Sequence, residues 1–157
     1  VIEQALGQLR HMQDAEGSAL TDDLTTRMSH VEAVLAEVTQ RAPEALAARL
    51  QTLKERVRQL CDGVAVDEQR MVQEIALLAD RSDVTEELIR AKSHISQFRK
   101  WLGTSEAVGK KLDFLLQELN RDVNTIGTKA TNADIDMKVV GAKNELEKIR
   151  EQVQNVM

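Results

Sequence analysis

The chain has 157 residues, 42% of them hydrophobic, and a formal net charge of −5. It is long enough for one ordinary domain or two small ones, and its acidic balance argues against a protein coated with base for nucleic acid. The single cysteine, Cys61, excludes an internal disulfide framework and fits a reducing cytoplasm. No apolar run reaches the roughly 18 residues of a membrane helix, and no signal peptide is visible.

Aromatic residues make up only 2%, there is one Pro, and Leu, Ala, Val, Glu, Gln, Lys and Arg dominate. That is the composition of long helices. No alternating β-branched run, Asn-Gly hairpin, fixed-period repeat or low-complexity tract interrupts it. The expected fold class is all-α, a long helical hairpin followed by a four-helix C-terminal unit.

The first helical pattern runs from about Ile2 to Ala42, with Leu20, Leu24, Met28, Val31, Leu35 and Val38 as one stripe. Pro43 then closes or kinks it, because Pro disfavours helical geometry at the preceding residue and suits a new first turn. Leu46, Leu50, Leu53, Val57 and Leu60 form a heptad seam ending near Gly63. Together these segments predict a hairpin over residues 1–61, with the domain boundary at 62–66.

The C-terminal unit, 67–157, opens on Asp67 as a helix cap, with Met71, Ile75 and Leu78 facing inward. Asp83, with Glu86 three residues on, predicts a capping box for the next helix. Its seam is Val84, Leu88, Ala91, Ile95, Phe98 and Leu102, and Gly103 stops it. Thr104 or Ser105 is the candidate cap of a fifth segment, whose seam is Leu112, Leu115, Leu116, Leu119, Val123 and Ile126, fraying around Gly127. After the loop TKATNAD, capped by Asn132 or Thr131, the last helix carries Ile135, Val139, Ala142, Leu146, Ile149, Val153 and Val156. Lys143 and Glu147, four apart on its outer face, predict a solvated charged surface.

Charge is unevenly spread. Residues 1–87 hold 9 basic and 17 acidic side chains, net −8; residues 88–121 hold 7 and 3, net +4; residues 122–157 hold 5 and 6, net −1. The positive segment also contains Phe98, Trp101, Phe114 and His94, and is the first place to seek an anionic ligand.

Gly-rich phosphate loops, paired cysteines, His-Glu-x-x-His and nucleophile elbows are all missing. Chemistry must therefore be assembled from carboxylates, histidine and basic groups. On the fourth segment Glu87, Arg90, His94, Gln97 and Trp101 share a face, with Glu86 able to pair with Arg90. A His can exchange protons or bind metal, an Arg can hold phosphate and a Trp can stack on a base. By spacing alone the plainer reading, an exposed charged face, prevails. On the fifth segment Asp113, Gln117, Glu118, Asn120, Arg121 and Asn124 form a second polar set. Carboxylates there can share a hard cation and amides can contact sugar or phosphate, but spacing alone favours a polar helix interface. His11 and His30 have no partner group and are expected at the surface, and the acids Asp80, Asp83, Glu86 and Glu87 are explained by caps and first turns.

The stretches RMVQEIALLADRSDVTEELIRAKSHISQFRKWL, GKKLDFLLQELNRDVNTIGTKATNADI and KNELEKIREQVQNVM, with RHMQDAEGSAL upstream, resemble the central and C-terminal part of the YicC/YloC family of bacterial proteins. The likeness spans nearly the whole chain and is densest over 67–157. It implies a cytoplasmic, homo-oligomeric endoribonuclease about twice this length, acting on RNA with a divalent metal, Mg²⁺ or Mn²⁺, and carrying an N-terminal α/β domain absent here.

Carried onto this sequence, the resemblance makes Glu74, Glu86, Glu87, Arg90, His94, Asp113, Glu118, Arg121 and Asn124 candidates. The expected catalytic groups are Glu87, His94 and Glu118, and the expected metal ligands Glu87, Asp113 and Glu118. Arg90, Arg121, Asn124, Lys110 and Lys111 are the expected RNA-binding set. Two seam positions depart from the family pattern: Ala91 stands where it has Leu, and Gly141-Ala142 where it has a bulkier pair, which predicts looser packing. The alternative function is a non-catalytic helical module for oligomerisation and RNA binding.

Overall fold

The computed structural model describes residues 2–61, 67–104 and 108–155. They form five helices: α1 (Ile2–Leu60), α2 (Glu68–Ser82), α3 (Thr85–Leu102), α4 (Gly109–Ala130) and α5 (Ala133–Asn155). The all-α expectation holds, with four helices following the first.

The expected hairpin over 1–61 is instead one continuous helix of 59 residues, with Pro43 inside it. At 1.5 Å per residue α1 is on the order of 90 Å long. An interior Pro forgoes one backbone hydrogen bond, a cost of about 3 kcal/mol. Tertiary packing offsets it: Val38 is buried in the core, and Ala42 and Ala45 pack against its edge on both sides of the ring. The pairing that forms is instead between the end of α1 and α2. Leu53 and Val57 of α1 face Met71 and Ile75 of α2 across one groove. The boundary expected at 62–66 lies outside the described residues. Leu24, Met28, Val31, Leu35 and Val38 of α1 share a single core with α3, α4 and α5.

Around that core the helices run antiparallel in sequence. Arg27 meets Glu145, and Glu37 meets Lys138, tying α1 to α5. Arg99 reaches Glu32 at 2.7 Å, tying α3 to α1. The seams of α3, α4 and α5 are buried as their spacing predicts, except that Leu102 is only partly buried; Val156 lies outside the described residues. Ala91 and Ala142 are fully closed in the core, so the looseness expected there is not found, while Gly141 faces open space.

Local signals fared unevenly. Asp67 caps α2 by accepting from the Arg70 amide at 3.1 Å, and Asn132 accepts from the amides of Asp134 and Ile135 at the start of α5. The Asp83–Glu86 capping box does not form. Asp83 accepts instead from the Thr85 amide and hydroxyl, and Glu86 turns to Arg90. Thr104 closes the end of α3 by donating to the Trp101 carbonyl, and Ser105 lies outside the described residues. Nor does α4 fray at Gly127. It continues to Ala130, and the missing side chain lets α5 approach: a Cβ there would sit 3.0 Å from Val139 Cγ1. Thr131 ends α4 in the left-handed conformation, at φ 47°.

Candidate functional site

Heptad seams on α3 and α4 are flanked by charge. Glu87 and His94 adjoin the seam residues Leu88 and Ile95 in sequence, and Asp122 precedes Val123. Antiparallel packing of α3 on α4 brings these flanks together. The result is a cluster of Glu86, Glu87, Arg90 and His94 from α3 with Asp122 and Lys129 from α4.

Arg90 is its hub. Its Nε donates to Asp122 Oδ1 at 3.0 Å, its Nη1 to Glu86, and its Nη2 lies 3.5 Å from Glu87 Oε1. The hydrogen bond to Asp122 is the main cause that raises the guanidinium pKa. Lys129 Nζ donates to Glu87 Oε1 at 2.9 Å and to the Asp83 carbonyl at 3.2 Å. Burial pushes the Glu87 carboxyl up, but the Lys129 hydrogen bond, backbone bonding and the two cations outweigh it and hold the pKa below its usual value. Glu87 and Asp122 are each only 4% exposed.

His94 Nδ1 approaches Asp122 Oδ2 to 3.2 Å. The angles are not those of a hydrogen bond, so both atoms, with Glu87 Oε2, are buried without a partner. The histidine side chain is nonetheless one-fifth exposed. With Nδ1 buried, that exposure belongs to the rest of the ring. A carboxylate behind one ring nitrogen and solvent near the other side is an arrangement suited to proton transfer.

The expected metal set is not assembled. Among the described residues no three His, Cys, Asp or Glu side chains are grouped to hold a metal ion. Glu87 is taken by Lys129 and Arg90. Asp113, nine residues and two and a half turns before Asp122 on α4, accepts from Arg150, Gln154 and Gln117 at 2.7–3.0 Å. Burial raises the Asp113 pKa, but those three donors together bring it below its usual value. Glu118 lies one turn before Asp122 on the same face of α4, away from Asp113. Glu87, Asp113 and Glu118 are not brought together as one ligand set, and Asp113 and one oxygen of Glu87 are already bonded to basic and amide groups.

Other expected residues scatter. Glu74 lines the α1–α2 groove. Lys110 and Lys111 stand at the start of α4, with Lys111 5.8 Å from the Trp101 ring centre. Arg90, expected to bind phosphate, is committed to carboxylates. Arg121 and Asn124 instead border a polar cleft of about 360 Å³ between α4 and α5. His11 and His30 are exposed, as expected. Lys143 bonds Asn124 across the helix pair rather than Glu147. Sequence reasoning missed Asp122 and Lys129. A signal for Asp122 was present: Leu115, Leu119, Asp122 and Ile126 step 4-3-4, so an acid sits in heptad register.

Residues 38–157 match the family model described as endoribonuclease YicC-like, C-terminal. The chain is 40% identical over 156 residues to a protein of Clostridioides difficile (strain 630) named probable endoribonuclease YicC, covering 99% of this chain and 53% of that protein. A Haemophilus influenzae protein of the same name is 40% identical over 147 residues, covering 92% and 50%. The chain thus spans about half the length of the curated relatives it matches. On the family match over 38–157 and these identities, the chain belongs to the YicC-like endoribonuclease family.

Proposed function

We infer that the protein carrying this chain is an endoribonuclease, and that the chain supplies a proton-transfer pair, His94 and Asp122, to RNA phosphodiester cleavage. The observation that supports this is the 3.2 Å approach of His94 Nδ1 to a buried carboxylate oxygen that Arg90 holds in place. Asp122 lies behind the ring at Nδ1 and leaves the other side of the imidazole to solvent. The solvent side of the ring then takes a proton from the attacking hydroxyl, that of water or of the ribose, and the hydroxyl oxygen bonds to phosphorus as the leaving oxygen departs. Glu118, one turn from Asp122 on the same helix face, is a further carboxylate on α4. Arg90 acts as a positioning residue rather than a phosphate ligand. A divalent metal, which the family resemblance implies, belongs to the proposal for the whole protein.

RNA as substrate, a cytoplasmic setting, a homo-oligomer and an N-terminal domain belong to the same proposal. The test is cleavage of end-labelled RNA by the full-length protein carrying His94→Ala. Loss of a general acid or base lowers the rate by roughly 10²–10⁴-fold. Cleavage at the parent rate would overturn the assignment.

One observation favours the second reading, a non-catalytic assembly module. The first turns of α1 expose Leu6, Leu9 and Met12, at 52%, 52% and 69%, beyond the core. Such a stripe suits burial against another subunit. Sedimentation as a monomer at micromolar concentration would count against it.

A further inference from the structure

The cleft between α4 and α5 is lined by Gln117, Asn120, Arg121, Asn124, Lys143 and Arg150. Three cations and three amides converge there. Arg150 is neutralised by Asp113 at 3.0 Å, and Lys143 donates to the uncharged Asn124 at 2.9 Å. Among the described residues Arg121 has no carboxylate partner. The lining therefore keeps a positive excess, although the whole chain is acidic. Asn120 adds an unmet acceptor: its Oδ1 is buried without any donor.

Helix geometry relates this cleft to the His94–Asp122 pair. At 100° per residue, Asp122 faces α3, Asn120 and Asn124 face α5, and Arg121 stands on the outer ridge between them. One strand crossing α4 would meet both.

We propose that this cleft is a subsite for the sugar–phosphate backbone of single-stranded RNA, with Arg121 and Lys143 on phosphate and Asn120 accepting from a ribose hydroxyl. Cations without full compensation recognise phosphate. A hydroxyl donor at the unpaired amide oxygen is the group that RNA has and DNA lacks. The inference rests on RNA being the ligand, as argued above, but not on His94 being catalytic.

The experiment is fluorescence anisotropy of a fluorescein-labelled single-stranded RNA with the full-length protein in a His94→Ala background, across a salt series. Adding Arg121→Ala and Lys143→Ala together is expected to weaken binding roughly tenfold. It should also flatten the log–log salt slope by about 1.4, the loss of two single-strand phosphate contacts. Arg56→Ala, an exposed cation near the far end of α1, should leave the slope as it was. Asn120→Ala should reduce the preference for RNA over DNA of the same sequence. Unchanged affinity and slope in the Arg121/Lys143 variant would overturn the phosphate assignment. Equal binding of RNA and DNA by the parent would overturn the ribose contact. If the His94→Ala protein still cuts RNA, the catalytic reading fails while the binding result stands on its own.

Discussion

Replacing Lys129 with Met tests whether the α3–α4 cluster is a true buried ion network. Glu87 is 4% exposed, and Lys129 is its nearest cation at 2.9 Å. Removing one partner of a fully buried pair costs about 3–5 kcal/mol. Here Lys129 is itself one-third exposed and Arg90 remains 3.5 Å from the same oxygen, so about 1–3 kcal/mol is expected at pH 7. For a chain of this length that is a fall in Tm of roughly 2–12 °C. The pH dependence has a definite sign. In the parent, the Glu87 pKa is depressed, so its contribution to stability is present above the unfolded value and is lost as pH falls through the folded one. Without Lys129, burial raises the folded pKa, and Glu87 takes up a proton more readily in the folded state. The stability gap between variant and parent should therefore narrow as pH falls below the ordinary carboxylate range. Glu87→Gln added to Lys129→Met should recover most of the loss at pH 7, since no charge is then stranded. Urea melts at neutral and acidic pH measure all three. A Lys129→Met protein as stable as the parent at pH 7, or a double variant no better than the single, would refute the reasoning.

Asp122→Asn keeps the shape but removes the charge behind His94. RNA cleavage should fall by at least tenfold, and an unchanged thermal melt of the variant separates this loss from loss of fold. Pro43→Ala restores a backbone donor in an exposed stretch of α1 and should stabilise the chain by about 1–2 kcal/mol, less than the full helix penalty because Pro also restricts the unfolded state; an unchanged urea midpoint would contradict it. Gly127→Val places side-chain atoms against Val139, where even a Cβ would lie 3.0 Å from Cγ1. Calorimetry should show destabilisation of about 1–3 kcal/mol from overpacking. Asp113, held below its usual pKa by Arg150, Gln154 and Gln117 after burial is outweighed, should release α5 at low pH, so amide exchange at the C-terminal end of α5 should rise below the ordinary carboxylate range.

The seams of α3, α4 and α5 were legible because one period, 3.6 residues, controls both the apolar spacing and the burial of each helix. The end of α1 was not. Pro43 carries a local signal to stop, and the packing of Val38, Ala42 and Ala45 overrides it. Gly127 misled for a related reason: a residue that weakens an isolated helix is here what lets two helices approach. The site divides in the same way. Glu87, Arg90 and His94 share a helix face and could be grouped from sequence. Their partners Asp122 and Lys129 lie 28–42 residues on, and only the antiparallel register of α4 selects them. The expected metal set Glu87, Asp113 and Glu118 is not grouped among the described residues, because spacing along each helix does not show how neighbouring helices turn it.

The burial of Glu87 and Asp122 between α3 and α4 bears on what the cluster is for. An apolar residue at 122 would continue the step of Leu115, Leu119 and Ile126 and would be as good for stability, since buried ion pairs rarely outperform well-packed hydrophobic ones. Nothing in the packing of α3 on α4 requires an acid there. The cluster has a use only if its orphaned atoms are used, and those atoms are His94 Nδ1, Asp122 Oδ2 and Glu87 Oε2. Local rules tend to break at functional positions. Arg90 supports this view, because its charge is already shared among Asp122, Glu86 and Glu87. In the proposed function its role is to fix Asp122, and the proposed contact with RNA passes to Arg121, the residue before Asp122 on α4. Of the two arginines expected on phosphate, the proposal thus keeps Arg121 there and assigns Arg90 to Asp122.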